Sequence, residues 1–300
     1  MRREWAVLLS SVILPMLATL VPWRYCVRLF WQLARVKILY RDQIMASLVG
    51  ARTYLDIDDE LGWKRRARFH LLIDTADYFL SRFRTRRWML KNLTVSGAHF
   101  LDSCKPETLF ITFHWGQGFY ALNFLEKRGF NLSWLHAPVP GKLQLGSYVS
   151  GLMGRLRIKQ VGRLAGTEPI PVQGSIEKMR TRLVEQKQPV MAMPDAPLQP
   201  GQSFVSVKLL GRRARLPAGL IKMAAREKIT LCVYTISIDQ ETGLRNLRFN
   251  APVCEDSPDI LAQYLADRLS EAVERDSSAW YVWPHAGGFF RSAINPDKPG

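Results

Sequence analysis

Of the five histidines in this 300-residue chain, His114 has the neighbours that suit chemistry. In FITFHWGQGFYALNFLEKRG a β-branched run ends at His114, Gly116 and Gly118 allow a tight backbone turn, and a helical pattern begins at once. A histidine so placed stands at the carboxyl end of a strand, the edge where open α/β sheets bind ligands. Its ring titrates near neutrality and can take a proton from a hydroxyl or amine as a general base. Free N–H groups of the turn and helix start, from Gly116 through Gln117 to Gly118, can face an oxyanion or phosphate. The alternative role is a turn histidine that only satisfies backbone carbonyls.

Arg155 and Arg157 alternate along a short segment, GRLR, and a guanidinium fork captures a phosphate with two parallel bonds. Asp195 lies between Pro194 and Ala196 where a strand ends; its expected role is to fix Arg155 or a loop, since a carboxylate beside a guanidinium stays ionised. His70, His99, His136 and His285 lack an ordered partner in the sequence and are assigned structural roles. Ser175 and Ser203 have no nucleophile-elbow context. Cys26, Cys104, Cys232 and Cys254 form no CxxC pair and no cluster with histidine, so neither a metal site nor a disulfide framework is expected. Read as reduced thiols, they place the bulk of the chain in the cytosol.

These side chains need a scaffold, and the pattern of apolar runs supplies one. Thr108 to His114, Asn131 to Ala137, Pro189 to Pro194, Phe204 to Leu210, Thr230 to Ile238 and Leu244 to Asn250 read as strands. Helical periodicity occupies FYALNFLEKR, IEKMRTRLVEQ, LPAGLIKMAAREK and residues 258 to 275. The alternation predicts an α/β fold with a mixed central sheet flanked by helices, one or two of its late strands antiparallel.

The amino-terminal end differs. From Trp5 to Trp23 the chain runs 19 residues without a charge, bracketed by tryptophans and by Arg2, Arg3, Arg24 and Arg28. About 20 apolar residues span a bilayer core and Trp prefers the headgroup level, so a membrane-anchoring helix is expected. A cleaved signal peptide is disfavoured because no Ala-x-Ala site follows. Basic residues on both sides leave the orientation open, as they do a tilted interfacial helix kinked at Pro15. The following stretch to Arg41 has the composition of a basic interfacial helix. The expected division is therefore residues 1–41 as anchor and interfacial helix, and 42–300 as one catalytic domain.

In order along the chain, the apolar amino terminus, His114, GRLR, MPDAP with Asp195, VKLLGRRARLPAG and WYVWPHAGGFF resemble segments of the lauroyl and myristoyl acyltransferases of lipid A biosynthesis and their lysophospholipid acyltransferase relatives. The resemblance covers nearly the whole chain. It implies transfer of a fatty acyl chain from an acyl-carrier-protein or coenzyme A thioester, as co-substrate rather than cofactor, to a hydroxyl or amine of a membrane-associated lipid acceptor. His114 would be the base and Arg155 the anion-binding residue, on the cytoplasmic side of a bacterial inner membrane. The family also carries a carboxylate five positions after the histidine; here that position is Phe119, and the nearest downstream acid, Glu126, stands two helical turns further on. Two accounts follow: His114 is oriented by Gln117, a carbonyl or a distant acid such as Asp195, or the chain is a catalytically reduced homologue that binds lipid or acyl carrier within a larger assembly. In the first, Phe119 lines the acyl groove.

Charge agrees with such partners. Lys and Arg number 42 against 26 Asp and Glu, a formal net charge of +16, which suits an anionic membrane surface and an acidic carrier protein. Nucleic acid is not expected as a partner, because no recognised binding module accompanies the basic clusters KRRARFH and SRFRTRRW.

Overall fold

The computed structural model describes residues 2–136, 147–172, 174–198 and 201–290. Its main helices are α1 (Trp23–Leu33), α2 (Arg41–Arg52), α3 (Glu60–Phe83), α4 (Phe119–Lys127), α5 (Tyr148–Ala165), α6 (Ala218–Arg226) and α7 (Pro258–Arg275). Its strands are β1 (Leu93–Ser96), β2 (Leu109–Ile111), β3 (Ser133–His136), β4 (Ile170–Pro171), β5 (Val190–Ala192), β6 (Phe204–Leu209), β7 (Arg212–Pro217), β8 (Leu231–Ile238) and β9 (Arg245–Phe249). Seven strands form one sheet in the order β1-β9-β8-β2-β5-β3-β4, while β6 and β7 make a separate antiparallel hairpin. From β8 through β4 the neighbours are parallel; β9 runs antiparallel to β8, and β1 parallel to β9. The fold is thus α/β with a mixed sheet flanked by helices.

The central strands read as unbroken apolar runs because both of their faces are covered. Leu109, Ile111, Val190, Ala192, Leu231 and Val233 point into one core with α6, α7 and the carboxyl-terminal tryptophans. Phe110, Met191, Cys232, Tyr234 and Ile236 alternate into a second core with α4 and α5. All six expected strands are present, β3 within a stretch whose last residue, Ala137, lies outside the described residues. Phe204–Leu209 departs from expectation in leaving the main sheet. Its partner β7 is so rich in arginine that it does not read as a strand, yet its inward residues Ala214 and Leu216 are buried.

The amino-terminal segment is not one continuous α-helix, so the expected anchoring helix is not shown. No helix among the described residues is long and apolar enough to cross a membrane. Residues 2–19 are helical but change winding three times, from α over Arg2–Leu8 to π over Leu9–Ile13, α over Leu14–Met16 and 3₁₀ over Leu17–Thr19. Ser10, Pro15 and Ala18 are buried, the Tyr40 hydroxyl donates to Ser10 O at 2.5 Å, and Arg84 donates to Thr19 O at 2.9 Å. Residues 2–19 therefore pack on the domain and are not set apart from it.

One buried ion pair knits these parts together. Arg245 on β9 and Asp77 on α3 are both fully buried and in contact. The guanidinium lies between the rings of Trp23 and Tyr120, 4.1 and 4.4 Å from their centroids. Gly243 O accepts from both Arg245 Nη1 and Trp23 Nε1 at 2.9 Å.

Candidate functional site

The register of two parallel strands creates the site. Ile111 at the end of β2 pairs with Ala192 at the end of β5, and three residues beyond each lie His114 and Asp195. Asp195 is wholly buried, and its Oδ2 accepts the His114 amide at 2.8 Å and Trp280 Nε1 at 2.9 Å. Its Oδ1 accepts His114 Nδ1 at 2.9 Å. The imidazole, 39% exposed, is thereby held with Nδ1 protonated and Nε2 left as the basic nitrogen. Burial opposes a charged ring, but the Asp195 charge and hydrogen bonds outweigh it, so the His114 pKa lies above the ordinary histidine value.

The loop after His114 is pinned to its surroundings. The Gly116 amide donates to Ala279 O, the Gln117 amide to Ile236 O, and His114 O accepts from the Tyr281 amide. Gly116 has φ of +72°, and a Cβ there would stand 1.7 Å from Ile236 O, so only glycine lets the loop pass against β8. These bonds correct the expected oxyanion role of the whole turn: the amides of Gly116 and Gln117 are spent on carbonyls. Gly118 remains, at the amino terminus of α4, where a Cβ would meet nothing within 4 Å.

A cavity of about 210 Å³ opens beside the ring, with His114, Gly116, Gln117, Gly118 and Phe119 in its wall. Leu122, Trp134, Val161, Met191, Tyr234 and Ile236 make most of the remaining surface apolar. Asp195 is not in that wall; it stands behind His114 and positions it. Arg155 is also outside: it lies exposed on α5, and Asp195 serves His114 and Trp280. Two residues further along the same helix, Arg157 does reach the cavity. Its Nη2 lies 2.9 Å from Asp74 Oδ2, and its guanidinium sits 5.1 Å from the centre of the Phe119 ring. A helix turns about 200° in two residues, so the two arginines of GRLR face opposite ways.

His70, assigned a structural role without a partner in the sequence, has two ordered partners. Its Nε2 donates to Asp276 Oδ2 at 2.7 Å, and its Nδ1 accepts from Gln117 Nε2 at 3.2 Å. Burial works against the Asp276 charge, yet His70 and Ser278 as donors hold its carboxyl down at about 2. Trp115 Nε1 donates to Asp276 O at 2.9 Å, so both tryptophans flanking the site serve as hydrogen-bond struts. Asp74 and His70 share a face of α3 at the i, i+4 spacing, a pattern in the sequence that could have drawn attention to them. Glu126, meanwhile, is taken by Arg86.

No protein-family model matches the chain, and comparison with curated proteins finds no match. Among the described residues no cluster of His, Cys, Asp and Glu is arranged to hold a metal ion.

Proposed function

We propose that the protein is an acyltransferase, moving an acyl chain from an acyl-carrier-protein or coenzyme A thioester to a hydroxyl or amine of a membrane-associated lipid. The observation that carries this reading is His114, held through Nδ1 by the buried carboxylate of Asp195 in the wall of a largely apolar cavity beside a helix amino terminus. His114 Nε2 takes the acceptor proton as the acceptor oxygen or nitrogen bonds to the thioester carbonyl carbon. The tetrahedral oxyanion meets the Gly118 amide and the amino-terminal end of α4. Collapse breaks the carbon–sulfur bond, and the proton on Nε2 passes to the departing thiolate. Phe119, Leu122, Trp134 and Val161 line the space for the acyl chain, and Arg157 takes the anion-binding role expected of Arg155. The inner membrane, with this cleft on its cytoplasmic side, is the corresponding location.

The purified chain should consume acyl thioester in the presence of a membrane lipid extract and yield an acylated product by mass spectrometry, while His114→Ala abolishes both. Thioester binding without turnover, unchanged in His114→Ala, would favour the catalytically reduced reading instead.

A further inference from the structure

The surface around residues 2–68 combines two features that the chemistry at His114 does not use. The first is an apolar stripe. Trp5, Leu9, Ile13, Met16 and Leu20 recur at intervals of four, four, three and four along the helical amino terminus, and all five are exposed, Trp5 at 66% and Leu20 at 73%. The opposite side of that segment is the one buried on the domain. The second is a cationic groove of about 740 Å³ between the α1–α2 connection and α3. Arg35, Lys37, Arg41, Lys64, Arg65 and Arg68 line it, and no acid is among its lining residues. Exposed apolar residues rim it, Ile38 at 64%, Met45 at 45% and Leu61 at 73%.

Stripe and groove are neighbours. Tyr40, between Leu39 and Arg41, donates to Ser10 O in the striped helix, and Arg65 stacks over Trp31 at 3.8 Å and donates to Trp31 O. Both adjoin the cleft: Tyr40 Oη lies 3.4 Å from Thr75 Oγ1, next to cavity-lining Asp74, and Glu4 accepts from Ser147 Oγ and the Tyr148 amide at the start of α5.

We infer that this face docks the protein in the plane of an anionic bilayer, the stripe entering the headgroup–acyl boundary and the groove seating lipid phosphates. A face that is basic alone fits any polyanion, whereas exposed large apolar side chains on its rim and on the adjoining helix fit a lipid surface. One helix side is committed to the domain and the other is apolar, so the segment lies on the membrane and does not cross it. The cleft then opens beside the bilayer. This docking is independent of any reaction at His114.

The test uses the full-length chain and vesicles of phosphatidylcholine alone or mixed equally with phosphatidylglycerol, scored by co-sedimentation. Binding should require the anionic lipid and fall as salt rises from 0.1 to 1 M, which shortens the screening length from about 10 to about 3 Å. Arg35→Glu/Lys37→Glu/Arg41→Glu should weaken it by at least about tenfold. The equal charge reversal at exposed Lys105, Lys127 and Arg163 should not. Trp5→Ser/Leu20→Ser, checked for fold by circular dichroism, should weaken binding without removing its salt dependence. Equal loss in the two triple variants, binding to neutral vesicles as tight as to anionic ones, or resistance of the membrane-bound protein to alkaline carbonate would each overturn the inference.

Discussion

Asp195 grips His114 at two points, one carboxylate oxygen on the backbone amide at 2.8 Å and the other on ring Nδ1 at 2.9 Å. Both residues extend by three positions from strands paired at Ile111 and Ala192, so the grip is a consequence of sheet register and needs no residue from the helix after His114. A third donor, Trp280 Nε1, completes the carboxylate's shell and ties the carboxyl-terminal segment to the site. A buried carboxylate with three donors is fixed in place, and a fixed carboxylate fixes the tautomer of its histidine.

Replacing Asp195 by Asn should therefore lower turnover by about 10²-fold or more, since the amide presents N–H to groups that are themselves donors and upsets the tautomer. The pH profile should move as well. A general base must be neutral, and the His114 pKa is raised above its usual 6.5, so wild-type turnover rises with pH through a midpoint above that value. Without the Asp195 charge the opposing effect of burial remains, and the midpoint should fall. The same linkage reaches stability: the pairing stabilises the fold fully below the unfolded-state pKa of the ring and is lost as pH rises through the folded-state value. A midpoint unmoved in Asp195→Asn, measured by initial rates across pH, would remove the aspartate from this role.

Arg157→Lys should impair thioester or acceptor use at least about tenfold, because a lysine keeps the charge but loses the planar fork on Asp74 and the stacking over Phe119. Arg155→Lys, on the exposed side of α5, should leave kcat/KM near the wild-type value. Measuring both with the same substrates separates the two faces of one helix.

The strands and the placement of His114 at a strand end were legible because both write themselves in local patterns: apolar runs of strand length and a histidine followed by two glycines before a helix. The sequence did not reveal which strands lie side by side, so Asp195, which holds His114 Nδ1, could be named only as one possibility beside Gln117 and a backbone carbonyl. The family resemblance alone favours Arg155 over Arg157, and the sequence did not show that Tyr148–Ala165 is an 18-residue helix in which a shift of two positions reverses the face. The partners of His70 were not legible, since Asp276 is 206 positions away, beyond the reach of any spacing argument. Nineteen uncharged residues have the length of an anchor, and nothing in their pattern showed that Ser10, Pro15 and Ala18 among them are buried.

Removing one partner of the buried Asp77–Arg245 pair should be severe. Burial pushes the Asp77 carboxyl up to about 6 against the pull of Arg245, a sign of how much the site costs a charge. Arg245→Met should destabilise by about 3–5 kcal/mol by leaving that carboxyl without its cation. Asp77→Leu/Arg245→Met should recover most of the loss, as apolar pairs often replace buried ion pairs without penalty. Chemical denaturation of the two variants and the parent decides the matter; additive losses in the double variant would show that the stacking on Trp23 and Tyr120, not the pair, supplied the stability.

Phe119 holds the position where an orienting acid is expected one turn after the histidine, so Phe119→Glu asks whether the site lacks that acid or has no use for it. The Nδ1 of His114 already has a carboxylate, and a second would find no donor there. The ring of Phe119 is 3% exposed, belongs to the core with Tyr120 and Leu122, and forms part of the cavity wall under the Arg157 guanidinium. A glutamate in its place removes that wall, buries a carboxylate at a cost of several kcal/mol, and competes with Asp74 for Arg157. Turnover and melting temperature should both fall, and Phe119→Leu, which keeps the site apolar, should retain more of each. Turnover that rises in Phe119→Glu would mean that Asp195 orients the imidazole poorly, and would return the acid of the His114 pair to the helix that follows it.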